Sequence, residues 1–227
     1  MAKKQKNKVS DRAIGLDIQL SKSEAFIEKN WKVILAAILA VIVVAVGIFI
    51  YRNHKAAKNE EASTAMAKSE AAFGMEQYDQ ALNGNGAEEL GFLKIIDEYS
   101  GTKTANLAKA YAGLCYVNLD NTDEAIKMLE SFDPQDDQFI SPSAIAALGN
   151  CYATKGDSKK GAETLVKAAK KANNDAVSPI FLLQAAQLYE SLNQNDKALE
   201  LYKQIKETYS RSSLANDIDK YIERVTK

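Results

Sequence analysis

Apolar positions along the chain follow two patterns. From Val33 to Ile50 the residues are apolar or small, and none is charged. Beyond Arg52 apolar residues recur at three- and four-residue spacing, the period of one helix face. At about 1.5 Å per residue the first stretch covers most of a ~30 Å hydrocarbon core. Trp31 and Tyr51 flank it, where amphipathic rings favour the interface, and Lys29, Lys32 and Arg52 stand at its ends, able to reach toward water. The pattern predicts a transmembrane helix over 33–51. The preceding tail is long for the basic region of a signal peptide, the apolar run is longer than the usual ~7–15 residues, and no small-x-small site follows, so an uncleaved anchor is expected. Ser21-x-x-Glu24 has the form of a capping box and predicts that the helix starts there. Residues 52–72 hold no Gly or Pro and predict a helical stalk.

The second pattern repeats itself. Gly113-x-x-Tyr116 is followed nine residues later by Ala125, Gly149-x-x-Tyr152 by Gly161, and Ala186-x-x-Tyr189 by Ala198. Four residues further on stand Leu129, Leu165 and Tyr202. Pairs of helices stacked in series have this self-similarity. Thr122, Ser158 and Asn195 are expected to cap the second helices, and Pro142 and Pro179 to open first helices. The small residues are expected to let the two helices of a pair approach closely, with the Tyr rings filling the space between successive pairs. Upstream, Tyr78–Leu82 opens a degenerate copy, broken by Asn83-Gly84-Asn85-Gly86 and followed by a helix with Phe92, Ile95, Ile96 and Tyr99 on one face. Downstream, Leu214, Ile218, Tyr221, Ile222 and Val225 form the stripe of a covering helix. The expected fold is all-α: a transmembrane helix, then an α-solenoid of about four helix pairs closed by a C-terminal capping helix.

Charge and composition refine this. Net charge is −1, with 46% hydrophobic and 26% charged residues. Residues 1–32 carry eight Lys and Arg against four acids, while the remainder is acidic. Positive flanks stay cytoplasmic, so the N-terminus is expected inside and the repeats outside. The acidic body argues against nucleic acid as a partner. The single histidine, His54, has no second histidine to complete a metal or catalytic set. Cys115 and Cys151 occupy equivalent positions on neighbouring first helices, ~8–10 Å apart, too far for a disulfide, and are expected to be free and buried. Acidic pairs such as Asp136-Asp137 and Glu88-Glu89 are expected to be solvated charge. With no nucleophile motif and no phosphate loop, no enzyme activity, cofactor or metal is expected.

The runs Leu148-Gly149-x-x-Tyr152…Gly161…Leu165…Ala168 and Ala185-Ala186-x-x-Tyr189…Asp196-Lys197-Ala198-Leu199…Tyr202 resemble the tetratricopeptide repeat (TPR) signature, as does Ala112-Gly113-x-x-Tyr116…Ala125-Ile126…Leu129. The family's Trp is missing; Lys109, Ile145 and Leu182 stand there. The layout is similar to the single-span bacterial TPR proteins that include the ancillary subunit of the SecYEG translocon. On this resemblance the chain divides into a basic cytoplasmic tail (1–32), a transmembrane helix (33–51), a stalk (52–72), TPR-like repeats (73–210) and a capping helix (211–227). The first helices would line a peptide-binding groove with Leu114, Asn118, Asn150, Thr154, Leu183, Gln187 and Glu190; the alternative is that these positions pack internally or against the stalk. That face lacks the Lys and Arg with which some TPR domains clamp a terminal carboxylate. The resemblance implies a membrane-anchored scaffold in a bacterial inner membrane, its repeats periplasmic, binding a protein or peptide partner and aiding secretion or periplasmic folding. The alternatives are a self-associating subunit of an envelope complex (a homo-oligomer) and an organelle import receptor with cytosolic repeats.

Overall fold

The computed structural model describes residues 2–86 and 89–227, with side chains from Phe26 onward. Among them are eleven helices and no strand; Gly84 and Leu90 form a single antiparallel bridge. The chain divides into two compact units, residues 1–55 and 56–227, each described by itself. Helix α1 runs Ala2–Gly74. It begins before the start expected at Ser21, and the capping side chains of Ser21 and Glu24 lie outside the described residues, as does Glu88.

In the first unit the apolar stretch is bare: Val43 and Phe49 are each 70% exposed. It belongs to the one helix, among the described residues, long and apolar enough to cross a membrane.

The second unit is a series of helix pairs. The end of α1 and α2 (Tyr78–Asn83) make the first. Helices α4 (Lys103–Asn118) and α5 (Thr122–Ser131), α6 (Ile140–Thr154) and α7 (Ser158–Ala172), and α8 (Ser178–Ser191) and α9 (Asn195–Thr208) make three more. α3 (Phe92–Glu98) packs on α2 and α4; α10 (Ser213–Asp217) and α11 (Asp219–Thr226) pack on α9. Residues read as stalk enter the packing: Ala62, Met66 and Ala72 are buried in one cluster with Phe92 and Ile95. Asn59 Oδ1 accepts from the Thr104 N–H at 3.0 Å, and Tyr99 donates to Glu61 at 3.3 Å. The first helix of the first pair is thus the end of α1. The break expected at Asn83–Gly86 splits that pair's second side into α2 and α3. Gly84, at φ 80°, and Gly91 press backbone to backbone there: a Cβ on Gly91 would lie 2.3 Å from Leu82 O.

Each pair is joined by the same three-residue turn. Glu76, Asp120, Gly156 and Asn193 are left-handed, with φ of 61°, 57°, 90° and 57°. The next N–H in each case bonds back five residues, Gln77 to Ala72, Asn121 to Tyr116, Asp157 to Tyr152 and Gln194 to Tyr189, all at 2.9 Å. This closure satisfies carbonyls that a helix end otherwise leaves without partners. It also moves the N-caps. Asn121, Asp157 and Gln194 cap the second helices, one residue before the expected Thr122, Ser158 and Asn195. The left-handed residue ends one helix so abruptly that the next begins a residue sooner. Asp157 accepts from the Lys160 N–H at 3.0 Å; Gln194 makes no cap bond.

The turns between pairs use buried hydroxyls. Ser141 and Ser178, each followed by proline, are fully buried. Ser141 Oγ accepts from the Gln135 N–H at 2.8 Å, and Ser178 Oγ from the Asn174 N–H at 3.0 Å. Asp137 is structural rather than simply solvated: its Oδ1 accepts from the Phe139 and Ser141 N–H groups at 3.0 Å. Burial pushes its carboxyl up, but hydrogen bonds from Ser141, Phe139 and Ile140 outweigh that and hold it below the usual carboxylate range.

Candidate functional site: the face of the first helices

The small residues set how closely the two helices of a pair approach. A Cβ on Gly161 would fall 2.8 Å from Gly149 O, and one on Gly113 2.5 Å from Leu129 Cγ. Ala125, Ala186 and Ala198 have no exposed surface. Tyr116 packs against two neighbouring core clusters. Tyr152 donates to Glu130 of the preceding pair, and Lys160 Nζ sits 3.7 Å over its ring. Tyr189 is 7% exposed and carries Lys197 in the matching place, 5.0 Å away. These contacts fix the azimuth of each first helix and so decide which residues it turns outward.

Counting from Ala72, Tyr116, Tyr152 and Tyr189 aligns the four first helices. Two residues earlier stand Glu70, Leu114, Asn150 and Gln187; two later, Gly74, Asn118, Thr154 and Ser191. Five earlier stand Ala67, Tyr111, Ala147 and Gln184. Of these, Asn118, Asn150, Thr154, Gln187 and Ser191 are exposed, and Leu114, Tyr111, Gln184 and Glu70 half-buried. Asn118 Nδ2 donates to Leu114 O at 2.9 Å and Thr154 Oγ1 to Asn150 O at 3.0 Å, both within their own helices. Gln184 Oε1 is buried and accepts nothing. A buried acceptor without a donor costs about 1–3 kcal/mol, and the hydrogen-bonding groups this face offers outward are the amides of Asn150 and Gln187.

Two expected groove residues have partners within the fold. Leu183 packs against the last core cluster. Glu190 is not free for a ligand: Tyr202 of α9 and Arg224 of α11 both donate to its Oε1, the latter at 2.8 Å. Packing of α11 on α9 brings Arg224 there, a long-range contact with no local signal in the sequence. Gln184 and Glu70 were not singled out from the sequence. Counting five back from Tyr189 finds the first, but the second needs Ala72 recognised as the counterpart of the tyrosines. Among the described residues no cluster of His, Cys, Asp or Glu is arranged to hold a metal. Cys115 and Cys151 are free and buried, and burial pushes the Cys115 thiol up to about 12, where it is unreactive.

Comparison with known proteins agrees with this geometry. The model of a tetratricopeptide repeat-like domain matches residues 24–146, and that of a tetratricopeptide repeat matches residues 181–212. The first match covers over half of the chain, which therefore belongs to the tetratricopeptide repeat-like family. Among solved structures, the nearly identical TPR-like repeats of a putative kinesin light chain from Podosopora anserina align with a TM-score of 0.56 at 11% identity, over 74% of this chain and 85% of that one. The MamA protein aligns with a TM-score of 0.51 at 16% identity, over 73% and 90%. At such identities the likeness is one of fold. Comparison with curated proteins gives no significant match.

Proposed function

We propose that this protein is a membrane-anchored scaffold that holds a segment of a partner protein on the outward face of its first helices, without catalytic activity of its own. The observation that carries this is a pair of open amides on an otherwise neutral face: Asn150 and Gln187 are exposed at equivalent positions. Amides so arranged suit the backbone of a polypeptide, which offers both donors and acceptors. The fold belongs to a family of protein-interaction scaffolds, which supports the same reading.

The span at 33–51 serves as the anchor. An uncharged apolar helix with its side chains bare is unlike a buried core helix, and lipid is the natural cover for it. The basic excess before it favours a cytoplasmic N-terminus with the repeats periplasmic, in a bacterial inner membrane, where the scaffold would serve secretion or folding. Two measurements test this. The protein is expected to stay with membranes through alkaline extraction, its repeats cleaved by protease only after the outer barrier is opened; release into the supernatant overturns the anchor. A photo-crosslinker at Asn150 or Gln187 in living cells is expected to capture a distinct polypeptide. Adducts only with further copies of the chain would replace the scaffold with the self-associating subunit.

A further inference from the structure

The aligned first-helix face is almost without charge. Across the three aligned rows, from Ala67, Tyr111, Ala147 and Gln184 to Gly74, Asn118, Thr154 and Ser191, one ionisable acid stands out: Glu70. It occupies the same place in its helix as Leu114, Asn150 and Gln187 do in theirs, so it ends a row of otherwise neutral residues. Its carboxylate is half-buried, and no described residue gives it a hydrogen bond or an ion pair. Burial pushes its carboxyl upward. Its charge is felt by Tyr111, on the neighbouring first helix.

Phe73 follows Glu70 by three residues in α1, on the same side of the helix, and Tyr111 stands on the neighbouring first helix within reach of its charge. The Tyr111 ring stacks on Phe92 at 5.2 Å and meets Phe73 edge-on at 5.1 Å; Phe73 meets Tyr78 at 5.6 Å. Phe73, Tyr78 and Tyr111 are all half-buried, with part of each ring still open to solvent. A carboxylate without a partner and with aromatic side chains near it is complementary to a cation, which answers the charge and is attracted to the rings. An arginine side chain matches both, since its planar guanidinium pairs with a carboxylate and stacks on an aromatic ring. An acidic or neutral side chain over Glu70 would leave the half-buried charge unanswered.

We infer that Glu70, with Tyr111 and Phe73 beside it, is a subsite for one basic side chain, arginine or lysine, of an otherwise uncharged polypeptide segment lying on the first-helix face. The inference rests on the proposed binding face and adds polarity to it. The basic side chain sits at the α1 end, and neutral polar or apolar residues run on toward Asn150 and Gln187. The subsite thereby sets both the composition of the segment and the direction in which it lies.

The test is selection of a random nonapeptide display library on the full chain in lipid nanodiscs. Peptides that no longer bind the Asn150→Trp, Gln187→Trp double variant are taken as bound to the face. Among these, the native chain is expected to enrich Arg or Lys at one fixed position, and arginine-to-glutamine replacement there to weaken binding about tenfold. Glu70→Gln, nearly the same shape, should lose the basic preference while still selecting peptides. Glu70→Lys should enrich Asp or Glu in its place. Face-bound peptides without a basic preference, or a preference that survives in Glu70→Gln, overturn the subsite and leave the binding face standing. A library that yields no face-bound peptide overturns both.

Discussion

Gly149 and Gly161 face each other across the α6–α7 pair at a distance that leaves no room for a methyl group. Alanine at position 161 would gain about 1 kcal/mol of helix propensity over glycine. It would also drive a Cβ to 2.8 Å from a backbone oxygen, which cannot swing aside as a side chain can. Overpacking of that kind costs about 1–3 kcal/mol. The clash wins or at best breaks even, so Gly161→Ala is expected to lower the denaturation midpoint and Gly149→Leu to lower it further. Unchanged midpoints for both would mean that the helices do not meet there. These positions were legible in the sequence because a small residue nine places after each tyrosine has a direct steric cause. Glu190 was not, because its partner Arg224 lies in a helix whose docking no local pattern announces. The same limit hid Gln184, a polar residue in an unremarkable stretch until its buried oxygen is seen to lack a donor.

The four left-handed turns are the clearest shared device of the helix pairs, and they differ in how well their residues suit them. Gly156 adopts φ 90° without strain and has open space around it. Glu76 holds φ 61° with a side chain ill suited to that region. Gly156→Ala is therefore expected to cost about 1 kcal/mol through the backbone alone, and Glu76→Gly to stabilise by about 0.5 kcal/mol. Chemical denaturation of the two variants should show shifts of opposite sign. The left-handed residues also explain why the caps were misplaced by one position from the sequence: Thr122, Ser158 and Asn195 are good capping types, but backbone handedness rather than side-chain type sets the register. Asp137 is a second device, closing the turn into α6. Its folded pKa lies below the unfolded value, so its contribution is complete above about pH 4 and fades as pH falls through the folded value. Asp137→Ala is expected to cost about 1 kcal/mol at neutral pH. Its stability should converge with that of the native chain in acid; a gap that stays constant down to pH 2 would mean the carboxylate does not close that turn. The first helix pair was the least legible of the four. Its first helix is the tail of a 73-residue helix with Ala72 where the others have tyrosine, and Asn83–Gly86 interrupts its second side.

Taken together, the pairs form a repeat body in which close packing on one side leaves neutral and amide side chains on the other, and the bare apolar stretch of α1 is suited to lipid. Function then depends on whether the first helices, rather than the second helices behind them, meet another polypeptide. In cells, a photo-crosslinker is placed in turn at Asn118, Asn150, Thr154 and Gln187, and at Lys127, Lys167 and Lys203 on the second helices, and adducts with other polypeptides are counted at each site. A scaffold of the kind proposed gives adducts concentrated at the first four positions, several-fold above the last three. Equal yields on both sets, or adducts confined to the second helices, would contradict it.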